Sequence, residues 1–151
     1  MIVIIDYGLG NLGSIKNMLK KIGFNSIISS DISEICDADK LILPGVGSFD
    51  QGMRNLNQLG LVEILSSRVI EDKIPILGIC LGMQLFTKDS EEGILKGLNW
   101  IDARTIKFKI EDKSKRIPHM GWNTLYINKE SILFGDLIEN SRFYFVHSYH
   151  V

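Results

Sequence analysis

The chain has 151 residues, 45% of them hydrophobic and 23% charged, which predicts one soluble globular domain with a buried core. Its 17 basic and 18 acidic residues leave a net charge of −1, so no nucleic-acid or anionic-membrane partner is expected. No run approaches the ~18 apolar residues of a membrane span, and the short run opening at Met1 is not expected to be a leader. Two cysteines, Cys36 and Cys80, are too few for a disulfide framework and point to a reducing cytoplasm.

In chain order, Ile2 to Ile5 predicts a buried strand followed by the glycine loop Gly8-Leu9-Gly10-Asn11. Leu12, Ile15, Leu19 and Ile22 recur at helical spacing, with Gly23 as the stop signal. Ser26 to Ser29 is a second strand, and Lys40 to Leu43 is a third that ends at Pro44-Gly45-Val46-Gly47. A helical stretch from Phe49 to Glu71 is broken near Gly60, and a fourth strand, Ile74 to Ile79, runs into Cys80. Continuous apolar strands alternating with helices predict an α/β fold with an open, mostly parallel sheet covered on both faces.

The last third changes character. Ile106, Phe108 and Ile110 alternate with Lys107 and Lys109, predicting a half-exposed strand of an antiparallel extension. A charged turn over 111–116 follows, then Ile117-Pro118-His119-Met120-Gly121-Trp122-Asn123. Arg142 to Val151 is strand-like by residue type and stops with no turn, cap or polar tail. The expectation is a domain truncated at its C-terminus, because apolar edges seldom close a domain.

Gly78-Ile79-Cys80-Leu81-Gly82 sets a cysteine between two glycines at the end of a strand, the pattern of a nucleophile elbow. A tight strand-to-helix turn needs small neighbours, the positive end of a following helix favours a thiolate, and the Leu81 N–H would face a developing oxyanion. Gly45 and Gly47, after the neighbouring strand, would let further backbone N–H groups reach the same point, although the pair is equally open to being a plain tight turn. Cys36, without flanking glycines, is expected to be structural.

With Asp6-Tyr7-Gly8-Leu9-Gly10-Asn11, Phe145-Val146-His147-Ser148-Tyr149 and the segment Pro118 to Asn123, these motifs resemble the class I glutamine amidotransferases. Within that family they are most similar to the glutaminase subunits of imidazole glycerol phosphate synthase. The resemblance implies attack of Cys80 on the side-chain amide of glutamine, release of ammonia, and hydrolysis of the glutamyl thioester. It implies that Gln84 and Glu92 hold the glutamine backbone groups, that Ser148 and Tyr149 lie near the substrate carboxylate, and that Gly45 and Gly47 form the oxyanion strand. It implies no cofactor, no metal, and a heterodimer with a (β/α)8-barrel synthase facing Asn11, His119 and Trp122. Trp122 is equally open to being a core aromatic.

The family's general base is a histidine in a His-Pro-Glu run, which this sequence lacks. Its three histidines are His119, His147 and His150, so the base and its glutamate are expected beyond Val151. Four alternatives stay open, the first being another hydrolase with an elbow cysteine. The run Gly8 to Gly13 also fits a dinucleotide-binding loop, with Asp31 as the ribose acid. The ammonia could serve a surface-sugar amidotransferase. A chain ending at Val151 could be a non-catalytic docking subunit.

Overall fold

The computed structural model describes residues 1–112, 116–129, 131–135 and 141–151. Residues 113–115 of the expected charged turn lie outside them. The described residues group into two compact units, one of residues 1–106 with Val151 and one of residues 107–150.

The first unit is built on four parallel strands, β1 (Ile2–Ile5), β2 (Ser26–Ser29), β3 (Lys40–Leu43) and β4 (Ile76–Gly78). Their order across the sheet is β2-β1-β3-β4, with Ile4 opposite Ile28 and Ile42, and Leu43 opposite Gly78. Strand side chains alternate between faces. Val3, Ile5, Leu41 and Leu43 therefore share one face, buried in a cluster with Ile35, Phe49, Met53, Leu56, Leu61, Leu65, Leu81 and Leu85. Ile4 and Ile42, on the opposite face, are also buried. Burial on both faces is why these strands read as unbroken apolar runs. β4 is shorter than the predicted 74–79, because Ile79 already turns toward the elbow while donating to Leu43 O at 3.0 Å.

The helices follow the predicted pattern. α1 (Leu12–Lys21) opens on Asn11, whose side chain accepts from Ser14 N, and it half-buries Leu12, Ile15 and Leu19 along one stripe. At its end Gly23 takes a φ of +89°, with Gly23 N bonded to Lys20 O and Phe24 N to Leu19 O, the paired bonds of a Schellman stop. α2 (Ile32–Cys36) is capped by Asp31, whose carboxylate accepts from Ser33 N and Glu34 N. The predicted stretch 49–71 becomes α3 (Phe49–Gln58), α4 (Leu61–Ser66) and a wider π turn over Ser67–Glu71, with the break at Gly60 and its φ of +66°. Cys36, expected to be structural, is exposed at the end of α2, because Ile35 takes the inward position.

The second unit holds an antiparallel ladder of β6 (His119–Thr124) and β7 (Arg142–His147), with the remaining strand pieces β5 (Ile106–Lys107) and β8 (Tyr149–His150) at its boundaries. The expected strand over Ile106 to Ile110 shortens to two residues. In its place Phe108 N–H donates to Ser148 O at 3.0 Å, and the Phe108 ring packs beside His147 and His150 with centroids 4.9 and 4.8 Å away.

The face of α3 carrying Phe49, Met53 and Leu56 joins the helices to the sheet, and Leu56 has no exposed surface. Leu56→Ala is expected to lower unfolding free energy by about 2–5 kcal/mol, read from the urea midpoint at unchanged slope.

Candidate active site

The site starts from the backbone at Cys80, which holds φ +52° and ψ −116°. A non-glycine residue in that region costs about 1–3 kcal/mol and persists only where its surroundings over-determine it. Here they do. Gly82 N donates to Ile79 O at 3.0 Å, and Met83 N and Gln84 N both donate to Cys80 O, at 3.1 and 3.2 Å. A methyl at Gly78 would come within 2.5 Å of Met83 Cα, and one at Gly82 would overlap the Leu43 carbonyl oxygen. Both flanking glycines are therefore required by packing, and the cysteine between them is exposed.

The helix that follows, α5 (Leu81–Gln84), is a single turn. The chain tightens after it, with Phe86 N bonded to Met83 O and Thr87 N to Gln84 O, while Thr87 Oγ1 donates to Gln84 O at 2.8 Å. Leu81 is the first residue of this turn, a position whose N–H has no acceptor within a helix. Its side chain is buried, so that N–H keeps a fixed direction beside Cys80.

The second glycine loop meets the elbow from the end of β3. A methyl at Gly45 would run into Tyr7 Oη, lie 2.9 Å from Leu81 Cβ and 3.1 Å from Gly82 N. Gly47 takes a φ of +130°. Pro44 and Gly45 are buried, whereas Val46 and Gly47 emerge on the surface. Gly45 and Leu81, predicted as the two sides of an oxyanion site, are thus in contact at the base of the Cys80 turn.

Gln84 and Glu92 lie in the same unit. Gln84 is buried at the end of α5. Glu92 reaches from a downstream loop to α3, its Oε2 accepting Phe49 N–H at 2.8 Å. Asp50, in the first turn of α3, accepts Ile94 N and Leu95 N at 3.0 Å each. Two carboxylates exchanged between the start of α3 and residues 92–95 staple that loop to the helix, the end where negative charge is favoured.

A family model for class I glutamine amidotransferases matches residues 3–151. The chain belongs to that family. It is 62% identical over 151 residues to an imidazole glycerol phosphate synthase subunit HisH 2 of Methanococcus maripaludis, covering all of this chain and 74% of the relative. It is 46% identical over 151 residues to the protein of the same name in Pseudomonas aeruginosa, again covering all of this chain and 74% of the relative. A crystal structure of a glutamine amidotransferase superposes with a TM-score of 0.59 at 20% identity, over 71% of this chain and 57% of that one, a likeness of fold.

Ser148 and Tyr149 belong to the second unit, Ser148 O accepting Phe108 N–H and Tyr149 O lying 2.8 Å from His147 Nδ1. Since a carbonyl only accepts, His147 Nδ1 carries the proton of that bond. The other ring nitrogen, Nε2, lies 3.2 Å from His119 Nδ1, so both nitrogens of His147 are engaged. His119 also stacks on Phe145, with centroids 4.7 Å apart. Asn11 caps α1 in the first unit. Trp122 is 61% exposed and meets Tyr144 edge-on at 5.6 Å, which removes the core-aromatic reading within its unit.

Two residues with structural weight at the site had no predicted role. Asp50 could have been suspected as an acid in a first helical turn. Tyr7 sat inside a quoted motif, but its partners are 37 and 48 residues away and nothing local marks them. Gly82→Ala should lower the melting temperature and slow alkylation of Cys80 by iodoacetamide, because the added methyl collides with Leu43 O. Gly13→Ala, which meets open space within α1, should leave both unchanged or slightly raise stability.

Proposed function

We propose that this chain is the glutaminase subunit of an imidazole glycerol phosphate synthase, hydrolysing glutamine to glutamate and passing ammonia to a synthase partner. The observation that carries the reading is Cys80, strained at positive φ and exposed between two packing-required glycines, with the Gly45 loop against its turn. The sequence likeness to the HisH relatives over the full chain supports the choice of reaction.

In the proposed sequence the Cys80 thiolate attacks the amide carbon of glutamine. The oxyanion is met by Leu81 N–H and by amides of the Gly45–Gly47 loop, preorganised donors that cost no reorganisation as charge develops. With a proton taken up from solvent by the amide nitrogen, collapse expels ammonia and leaves a glutamyl thioester, which water cleaves to glutamate and the free thiol with return of a proton to solvent. Gln84 and Glu92 are assigned to the glutamine backbone groups, and Ser148 and Tyr149 to its carboxylate. His147 is assigned no proton transfer, since both of its ring nitrogens are engaged.

The proposed partner is a (β/α)8-barrel synthase in a heterodimer, with Asn11 of the first unit and His119 and Trp122 of the second each assigned to face it, and the proposed setting is the cytoplasm. Met120, Trp122, Tyr144 and Val146 stand together on the outward face of the β6–β7 ladder, paired Met120 to Val146 and Trp122 to Tyr144. A contiguous exposed apolar face with a tryptophan has the composition of an interface centre.

Cys80→Ser is expected to abolish glutamine-dependent synthesis by the assembled enzyme while leaving synthesis from ammonium salts intact. Loss of both would mean that Cys80 supports the assembly and not the chemistry. Trp122→Ala should weaken partner binding by roughly 30-fold or more, measured calorimetrically, with no change in melting temperature.

A further inference from the structure

The glycine loop facing Cys80 is fastened at both ends by groups from other parts of the chain. At its start, the hydroxyl of Tyr7 donates to Pro44 O at 2.6 Å. At its finish, Phe49 N–H is taken by Glu92. Between these points run Gly45, Val46, Gly47 and Ser48.

Tyr7 is held as firmly as the loop it holds. Its side chain has no exposed surface, and its own carbonyl accepts from Asn55 Nδ2 at 2.8 Å, so α3 fixes its backbone. The ring therefore presents one polar atom, in one place, to one acceptor. Burial pushes the phenol well above its ordinary range, and the negative charge of Cys80 pushes it further in the same direction. The hydroxyl accordingly keeps its proton at neutral pH and acts as the donor to Pro44 O.

A trans peptide points its carbonyl and its N–H in opposite directions. Fixing Pro44 O against Tyr7 Oη fixes the plane of the Pro44–Gly45 peptide, and with it the frame from which the following amides are presented. Without that donor, Pro44 O is a buried acceptor with its partner removed, which leaves its desolvation uncompensated. Rotation of the peptide relieves the cost and turns a carbonyl dipole toward the point where negative charge develops. Glycine at 45 and 47 makes that rotation sterically easy.

We propose that Tyr7 is a positioning residue for glutamine hydrolysis, its hydroxyl setting the orientation of the Gly45–Gly47 amides against Cys80 through the Pro44 carbonyl. The proposal rests on the glutaminase reading above and adds a residue to it. Tyr7 touches neither the substrate nor the thiol's reaction, so its effect falls on the step that forms an oxyanion.

The test compares Tyr7→Phe, Cys80→Ser and the unaltered sequence, each as the complete protein assembled with its synthase partner. Glutamate release is followed alongside alkylation of Cys80 by iodoacetamide. Alkylation displaces iodide at a saturated carbon and forms no oxyanion, so it reads the thiolate without reading the loop. In Tyr7→Phe, kcat for glutamine should fall about tenfold, less than the roughly 10²–10³ that loss of an oxyanion donor itself costs. KM should stay within about twofold, because positioning acts on the transition state. The alkylation rate and its pH profile should not move.

Glutamate release equal to that of the unaltered protein would overturn the proposal. So would a parallel fall in hydrolysis and alkylation, which would make Tyr7 a support of the whole elbow. If the unaltered protein releases no more glutamate than Cys80→Ser, the glutaminase reading itself fails, a result distinct from both.

Discussion

Everything in the first unit is arranged around the approach of two backbones, the end of β3 at Leu43–Gly45 and the turn at Gly78–Gly82. The Leu43 carbonyl accepts from Ile79 N and also occupies the space where a side chain at 82 would stand. Such proximity is possible only with hydrogen in place of Cβ, and it forces the chain between the glycines into a conformation that Cys80 would not choose. The strain is small against a fully buried core, and its product is an exposed sulfur with a fixed direction. Preorganisation of this kind is paid once, during folding, and is present before any substrate arrives.

The same contact propagates outward. Leu81 and Leu85, which emerge from the turn, lie in the core with Phe49, Met53 and Leu56 of α3, and a methyl at Gly52 would sit 3.0 Å from Leu85 Cδ1. The position of α3 therefore follows from the position of the elbow. Its N-terminus in turn receives Glu92 and gives Asp50 to the loop at 94–95. Behind α5, Thr87 Oγ1 lies 3.1 Å from Thr105 Oγ1, and Leu98 N and Trp100 N bond to Leu85 O and Phe86 O. Buried hydroxyls and amides are thus satisfied within the segment that wraps the turn, as buried polar groups must be.

The second unit solves a different problem. Its β6–β7 ladder places His119, Phe143, Phe145 and His147 on one face and Met120, Trp122, Tyr144 and Val146 on the other. The first face is joined by ring packing and by the His119–His147 contact. The second leaves its apolar side chains largely exposed. A two-stranded ladder has too little surface to bury both faces itself.

The sequence by itself determined the parallel α/β class, the four strand positions, the stop at Gly23, the break at Gly60 and the elbow around Cys80. Each of these rests on local properties: period, apolar runs, and glycine where the backbone must turn or come close. It also carried the family motifs, which brought Gln84 and Glu92 into consideration without saying what they touch. Tertiary structure decided the rest. It cut the helix after Cys80 to one turn, because Thr87 captures the Gln84 carbonyl. It shortened the strand at 106–110, left Cys36 outside and put Trp122 on a surface. Above all, it joined Tyr7 to Pro44 and Glu92 to Phe49. Those bonds span 37 and 43 residues, and no spacing rule reaches so far, because their partners meet only when separate strands and helices have packed.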